Sequence, residues 1–208
     1  MSNLFSTPIR KGYSGARPDL NRIIPRPPSR ILDVGCGAGR NLELLRLAFP
    51  EAIIVGADRE VRPELPTCPK THFVQGAAEH TETIEKLRYW GDYDLIIFAD
   101  VLEHLPDPWE TLRLYRKLLS VEGFVLTSIP NVRHYSTFAR LLFSDRWPRR
   151  DRGIHDRTHL HFFARQDILD LGRYAGLKLM RERRNVRLLE TTILSQPPAR
   201  LFDFWPFR

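Results

Sequence analysis

Apolar residues in this chain fall into short runs separated by stretches of helical spacing, and this rhythm predicts the architecture. Ser29–Val34 reads as a strand that enters a glycine-rich turn. Asn41–Phe49 follows as a helix, with Leu42, Leu45 and Phe49 on one face and Pro50 ending it. Ala52–Ala57 is a second strand. The proline-interrupted stretch Glu60–Lys70 reads as a loop where a helix would be expected. Thr71–Val74 is a third strand and Glu79–Tyr89 a helix. Tyr93–Phe98, apolar but for Asp94, is a fourth strand, Pro108–Leu119 a helix with proline in its first turn, and Gly123–Ile129 a fifth strand. After Pro130 the rhythm breaks. Ser136–Phe143 looks helical, Ser144–His161 is a basic, histidine-rich loop, and Arg165–Ala175 is a helix ended by Gly176. Leu177–Arg184 and Val186–Leu194 read as two strands of an antiparallel edge hairpin. Short apolar strands alternating with helices imply one doubly wound α/β sheet, mostly parallel and seven-stranded, with helices on both faces.

The expected organisation is a lead-in over residues 1–28, one domain over 29–195 and an aromatic tail over 196–208. The domain carries an insertion at about 132–164. A chain of 208 residues with 42% apolar and 27% charged positions can bury one sizeable core. No apolar run approaches the ~20 residues that span a bilayer. The first residues lack an apolar signal core, so a cytoplasmic location is expected. Cys36 and Cys68 are too few for a disulfide framework and lack zinc-ligand spacing. The net charge of +7 is localised: residues 140–187 hold 13 Arg or Lys and 6 Asp or Glu, and the remainder is neutral. Such a block is either a solvated face or a surface for anions: nucleic acid, phosphorylated metabolites, an acidic partner or a membrane surface.

The most informative string is ILDVGCGAGR, Ile31–Arg40. Gly35, Gly37 and Gly39 let the backbone turn sharply and let a ligand approach, and the helix start behind them offers unpaired N–H groups. Asp33 precedes them. A dinucleotide fingerprint needs G-x-G-x-x-G, and the alternate spacing here departs from it. Asp58, at the end of the second strand, suits a carboxylate that takes both hydroxyls of a ribose. Arg59 beside it can lie against an adenine face. FADVLEHLPDP, Phe98–Pro108, stands at the carboxyl end of the fourth strand, where ligands bind in such sheets.

Together these strings resemble the class I S-adenosylmethionine (AdoMet) methyltransferases, of the type found in ubiquinone biosynthesis. SIPNVRHYS and GIHDRTHLHFF narrow the resemblance to a bacterial branch acting on small molecules. It covers roughly residues 28–180 and implies a Rossmann-like fold and AdoMet as cofactor. It implies that Asp33, Gly35, Cys36, Gly37, Gly39, Asp58 and Arg59 hold the cofactor, with Ala99 and Asp100 along its methionine end. His104 is counted with them at the start of the next segment, where holding the loop is an equal reading. Adenine is expected against the backbone of Ala77 and Ala78. The chain departs from the family there, because Ala77 replaces the usual acid, at a cost of about 1 kcal/mol for one lost hydrogen bond.

If the acceptor is a hydroxyl, a nearby base helps remove its proton. Histidine suits that role, and the candidates are His159, His155 and His134, unless they are packing elements. Arg149, Arg150, Arg152 and Arg157 could hold an anionic acceptor. A metal-dependent variant would want acids at the ends of the fourth and fifth strands. Asp100 fits the first place, but Pro130-Asn131 stands at the second, so no metal is expected. The leading expectation is methyl transfer to a small acceptor, at oxygen. RNA methylation using the basic stretch and a non-catalytic binding domain are the alternatives. Oligomeric state is not legible.

Overall fold

The computed structural model describes residues 17–60, 68–183 and 202–204. Five parallel strands form the sheet: β1 (Arg30–Val34), β2 (Ile53–Asp58), β3 (Thr71–Gln75), β4 (Tyr93–Ala99) and β5 (Leu119–Ile129). They lie in the order β3-β2-β1-β4-β5. The chain thus runs outward from β1 to β3 and returns to place β4 against the other side of β1. That reversal opens a crevice at the carboxyl ends of β1 and β4. The central strands carry apolar residues on both faces because each face has its own core. Ile31, Ile54, Leu95, Ile97, Phe124 and Leu126 pack with Leu20, Leu42 and Leu45 on one side. Leu32, Val55, Ile96, Phe98 and Val125 pack with Ile84, Leu112, Tyr115 and Ile168 on the other.

The helices supply those partners. α1 (Pro18–Asn21) and α2 (Arg40–Ala48) cover the first face. α3 (Thr81–Arg88), α4 (Pro108–Arg116) and α6 (Arg165–Tyr174) cover the second. Asp107 caps α4, accepting from the Glu110 N–H at 2.9 Å, with Pro108 in the first turn. Asp167 reaches back to the Ala164 N–H at 2.8 Å to start α6. α5 (Tyr135–Ser144) stands apart, and Thr137 is its one buried residue.

Three expectations shift in extent. The fifth strand begins at Leu119 rather than Gly123, so α4 ends at Arg116. Its polar start is hidden by an irregularity: Tyr93 pairs with Leu119, but Leu95 pairs with Phe124. Gly123 permits this crossing, since a Cβ there would stand 2.6 Å from the Tyr93 carbonyl oxygen. Of the expected edge strand Leu177–Arg184, β6 (Glu182–Arg183) is the part that is strand among the described residues 177–183. Leu177 is still tied to α6, its N–H donating to the Gly172 carbonyl behind Gly176. The expected strand Val186–Leu194 and most of the tail lie outside the described residues, as do residues 61–67 of the expected loop. Within the tail, β7 (Phe202–Phe204) pairs antiparallel with β5 and with β6.

Candidate functional site

The glycine turn is built by positive φ angles at Gly35 (72°), Gly37 (56°) and Gly39 (78°). The Gly35 and Cys36 N–H groups both donate to the Ala57 carbonyl, at 2.7 and 3.1 Å, which ties the turn to the end of β2. Gly35 also lies directly on Val101: a Cβ at position 35 would be 2.5 Å from Val101 Cγ2. Cys36 is buried, and Gly56 leaves the room its sulfur occupies. Gly39 stands at the N-cap of α2.

Asp58 ends β2 and faces the turn. Its Oδ2 accepts from the Gly37 N–H at 2.8 Å and its Oδ1 from the Glu60 N–H at 3.2 Å. Arg59 is exposed and ion-paired with Glu79, which follows Ala77 and Ala78 in the turn after β3. That turn is fixed by Gly76 N–H to the Asp58 carbonyl and His80 N–H to the Ala77 carbonyl. Asp33 lies beneath the glycine turn, 1% exposed, with both oxygens lacking a partner of good geometry. Burial, then repulsion from Asp58, pushes its carboxyl from 3.8 up to about 7, and the Asn41 side chain offsets this only in part.

That shift has a signature in the chain without ligand. A carboxyl whose folded pKa is raised contributes fully below about pH 4 and loses its contribution as pH rises towards 7. His159 works in the opposite sense: burial and the neighbouring His104 lower it from 6.5 to about 4, so its contribution is lost as pH falls. The quantity to read is therefore the difference in urea stability between the chain and Asp33→Asn. It is expected to move in favour of the variant by up to about 4 kcal/mol between pH 4 and 7. A difference independent of pH would mean that Asp33 titrates normally.

At the carboxyl end of β4, Asp100 takes a left-handed conformation (φ 57°). Its carboxylate accepts from Ser128 Oγ at 2.9 Å and from Arg17 Nη1 at 2.6 Å. Arg17 is 8% exposed, pairs with Asp19 as well, and donates its main-chain N–H to Asn41 Oδ1 at 2.9 Å. Ala99, half-buried, precedes Asp100. Neither Arg17 nor Ser128 is conspicuous in the sequence, because their partner lies 83 and 28 residues away.

From Val101 a short 3-10 turn, Leu102–His104, leads towards α4. The stretch before Phe163 folds back on it: the Leu160 and His161 N–H groups both donate to the Glu103 carbonyl. His104 Nδ1 lies 3.2 Å from Thr158, and its ring meets that of His159 edge-on. His159 Nδ1 stands 3.0 Å from the Ile154 carbonyl, which can only accept, so Nδ1 carries the proton and Nε2 presents a lone pair. That Nε2 faces Glu103 at 3.9 Å. Glu103 is 1% exposed and neither of its oxygens has a hydrogen-bond partner. Burial, reinforced by Asp100, drives its carboxyl well above the ordinary carboxylate range. Glu103, His104 and His159 each offer a ligand atom, all within 4.8 Å of one another. No sequence spacing announces this trio, because His159 joins it from the far side of the insertion.

The other two histidines stand in different surroundings. The Thr137 hydroxyl donates to the Val132 carbonyl at 2.8 Å, so buried His155 donates Nε2–H to Thr137 Oγ1. His134 caps α5, its Nδ1 accepting from the Ser136 N–H. Arg149, Arg152 and Arg157 are exposed, Arg157 against Asp151, and Arg150 is half-buried.

Residues 10–182 match the model of a family described as a methyltransferase domain. The chain is 32% identical over 166 residues to the ubiquinone biosynthesis O-methyltransferase of Cereibacter sphaeroides, covering 76% of this chain and 64% of that protein. The enzyme of the same description from Ruegeria pomeroyi is 34% identical over 169 residues, at 77% and 64% coverage. The chain thus spans less than two thirds of the length of these relatives. Its fold is similar to that of a 1,6-didemethyltoxoflavin-N1-methyltransferase from Burkholderia thailandensis, with a TM-score of 0.60 and 16% identity. That match covers 91% of this chain and 75% of the other. With its family model matched over most of its length, the chain belongs to the methyltransferase domain family.

Proposed function

We propose that the chain moves a methyl group from AdoMet to a hydroxyl of a small acceptor. The observation that carries this reading is the bare Nε2 of His159 beside buried Glu103, on a turn packed against the glycine loop. When bound, AdoMet supplies an electrophilic methyl on a sulfonium. The polar groups of the crevice match its other parts. Asp58 takes the ribose hydroxyls, and the backbone of Ala77 and Ala78 takes the adenine edge. Arg17, ion-paired with Asp100 and Asp19, brings buried positive charge to the methionine end, beside Ala99 and Asp100. Asp33, Gly35, Cys36, Gly37 and Gly39 form the floor, and Arg59 borders the adenine side.

His159 is the proton acceptor in this reading. Its imidazole is neutral at neutral pH and its lone pair is unengaged by the backbone. The acceptor hydroxyl donates to Nε2, and the resulting imidazolium lies against Glu103. His155 and His134 hold the loop and start α5, and His104 positions Thr158 and the His159 ring. The acceptor-side element is about 132–164 within a domain over 29–195. The sheet is read as seven-stranded with an antiparallel edge, supported by the pairings of β6 and β7.

The Glu103, His104 and His159 trio favours one second reading, a divalent cation held by those three side chains. It would lie against the acceptor oxygen and lower the pKa of the hydroxyl. The proposed cofactor site is tested by calorimetry with AdoMet. Asp58→Ala is expected to weaken binding by roughly 10- to 100-fold, since two ribose hydroxyls lose a charged acceptor. Unchanged affinity in that variant would remove Asp58 from the site, and absence of binding in the parent chain would defeat the reading.

A further inference from the structure

The arginines after Pro130 are given no role in the proposed acceptor site, and α5 suggests one for them. This helix carries Tyr135, Phe138, Leu141, Leu142 and Phe143, all exposed, with Leu142 at 77% and Phe143 at 82%. At 100° per residue, Tyr135, Phe138, Ala139, Leu142 and Phe143 fall on one arc, and Thr137, the buried contact, lies on the far side. The apolar face therefore points away from the body of the domain. The helix has one arginine, Arg140, and no acid. Around it Arg133, Arg146, Arg149 and Arg152 are exposed. A contiguous apolar patch of this kind on a monomer marks an interaction surface.

We propose that α5 docks the chain onto an anionic lipid bilayer, with its apolar face in the headgroup–acyl boundary and the arginines on lipid phosphates. The pairing of protruding Phe and Leu side chains with flanking arginines is the composition of an interfacial helix. Charge complementarity selects the occupant. A surface with an excess of arginine is drawn to negative headgroups, whereas a second copy of this chain would bring the same positive charge against it. The contact is superficial, since among the described residues no helix is long and apolar enough to cross a membrane. Docking is independent of methyl transfer and does not need AdoMet. It also sets α5, bonded through Thr137 to His155 on the loop that carries His159, between the lipid and the acceptor side.

The test is co-sedimentation of the full chain with vesicles of phosphatidylcholine alone and of phosphatidylcholine mixed with phosphatidylglycerol, at low and high salt. Binding is expected to the mixed vesicles, weak or absent with phosphatidylcholine alone, and reduced several-fold by high salt. The double substitution Leu142→Ser with Phe143→Ser is expected to reduce binding by about tenfold or more. Arg149→Glu with Arg152→Glu should do the same for the mixed vesicles. Far-UV circular dichroism and the melting temperature should stay as in the parent, because all four positions are exposed. The proposal is overturned by equal binding to both vesicle types, by no binding, or by retention of binding in either variant. It is equally overturned if sedimentation equilibrium shows a dimer that the Leu142/Phe143 variant abolishes, with vesicle binding absent. That result would assign the face to a second copy.

Discussion

His159→Gln is expected to lower the turnover of a hydroxyl acceptor by about 10²- to 10⁴-fold, the span ordinarily lost with a positioned base. AdoMet affinity should be unchanged, because the imidazole lies beyond the glycine turn. A panel of phenolic acceptors assayed with AdoMet supplies the measurement. The companion variant Glu103→Gln separates the two readings of the site. Burial raises the Glu103 carboxyl and so favours its neutral form, and a carboxamide of the same shape should preserve activity within roughly tenfold if His159 acts as a base. If a divalent cation occupies the trio, Glu103→Gln should be as damaging as His159→Gln. Activity should then also vanish with a chelator and return with an added divalent cation. Because His159 is held at about 4, activity through it should persist into mildly acid solution, well below the midpoint of an ordinary histidine. Full activity in His159→Gln would sink both readings.

The second large effect concerns the lead-in. Arg17→Met should destabilise the chain by about 3–5 kcal/mol, since it leaves the Asp100 carboxylate without its buried counter-charge. For a chain of this size that corresponds to a fall of roughly 10 °C in melting temperature. Adding Asp100→Asn to this variant should restore much of the loss. Asparagine tolerates the left-handed backbone at position 100 and can keep the Ser128 contact without a charge. Additive losses in the double variant would mean that the ion pair contributes nothing to the fold. AdoMet affinity should fall with Arg17→Met and stay low in the double variant, which separates binding from stability.

The central strands β1, β2 and β4 were legible because their middles are buried on both faces and so read as short apolar runs. Asp33, the three glycines and Asp58 were legible because a short turn brings local spacing into one place. Beyond that, the chain hides what depends on distant contacts. Arg17 sits in a stretch that reads as lead-in, yet it reaches Asp100 across 83 residues. Glu103 looks like a helix approach until the loop from Gly153 returns over it. Among the histidines between His104 and His161, the sequence nominates His159, His155 and His134 as the base. Only their partners distinguish them: Ile154 frees Nε2 of His159, Thr137 occupies His155, and Ser136 turns His134 into a cap. The start of β5 was missed because an irregular pairing carries polar residues that a regular strand would not.

The contact between Gly35 and Val101 constrains how this site can diverge. A side chain cannot be added at position 35 without cutting back position 101, and the left-handed turn resists the change even then. Val101 in turn begins the turn that carries Glu103 and His104. The glycine turn and the turn that carries Glu103 and His104 are therefore one mechanical piece. Chemistry can be varied from the loop side, where His159 enters, but the 35–101 seam admits only paired substitutions.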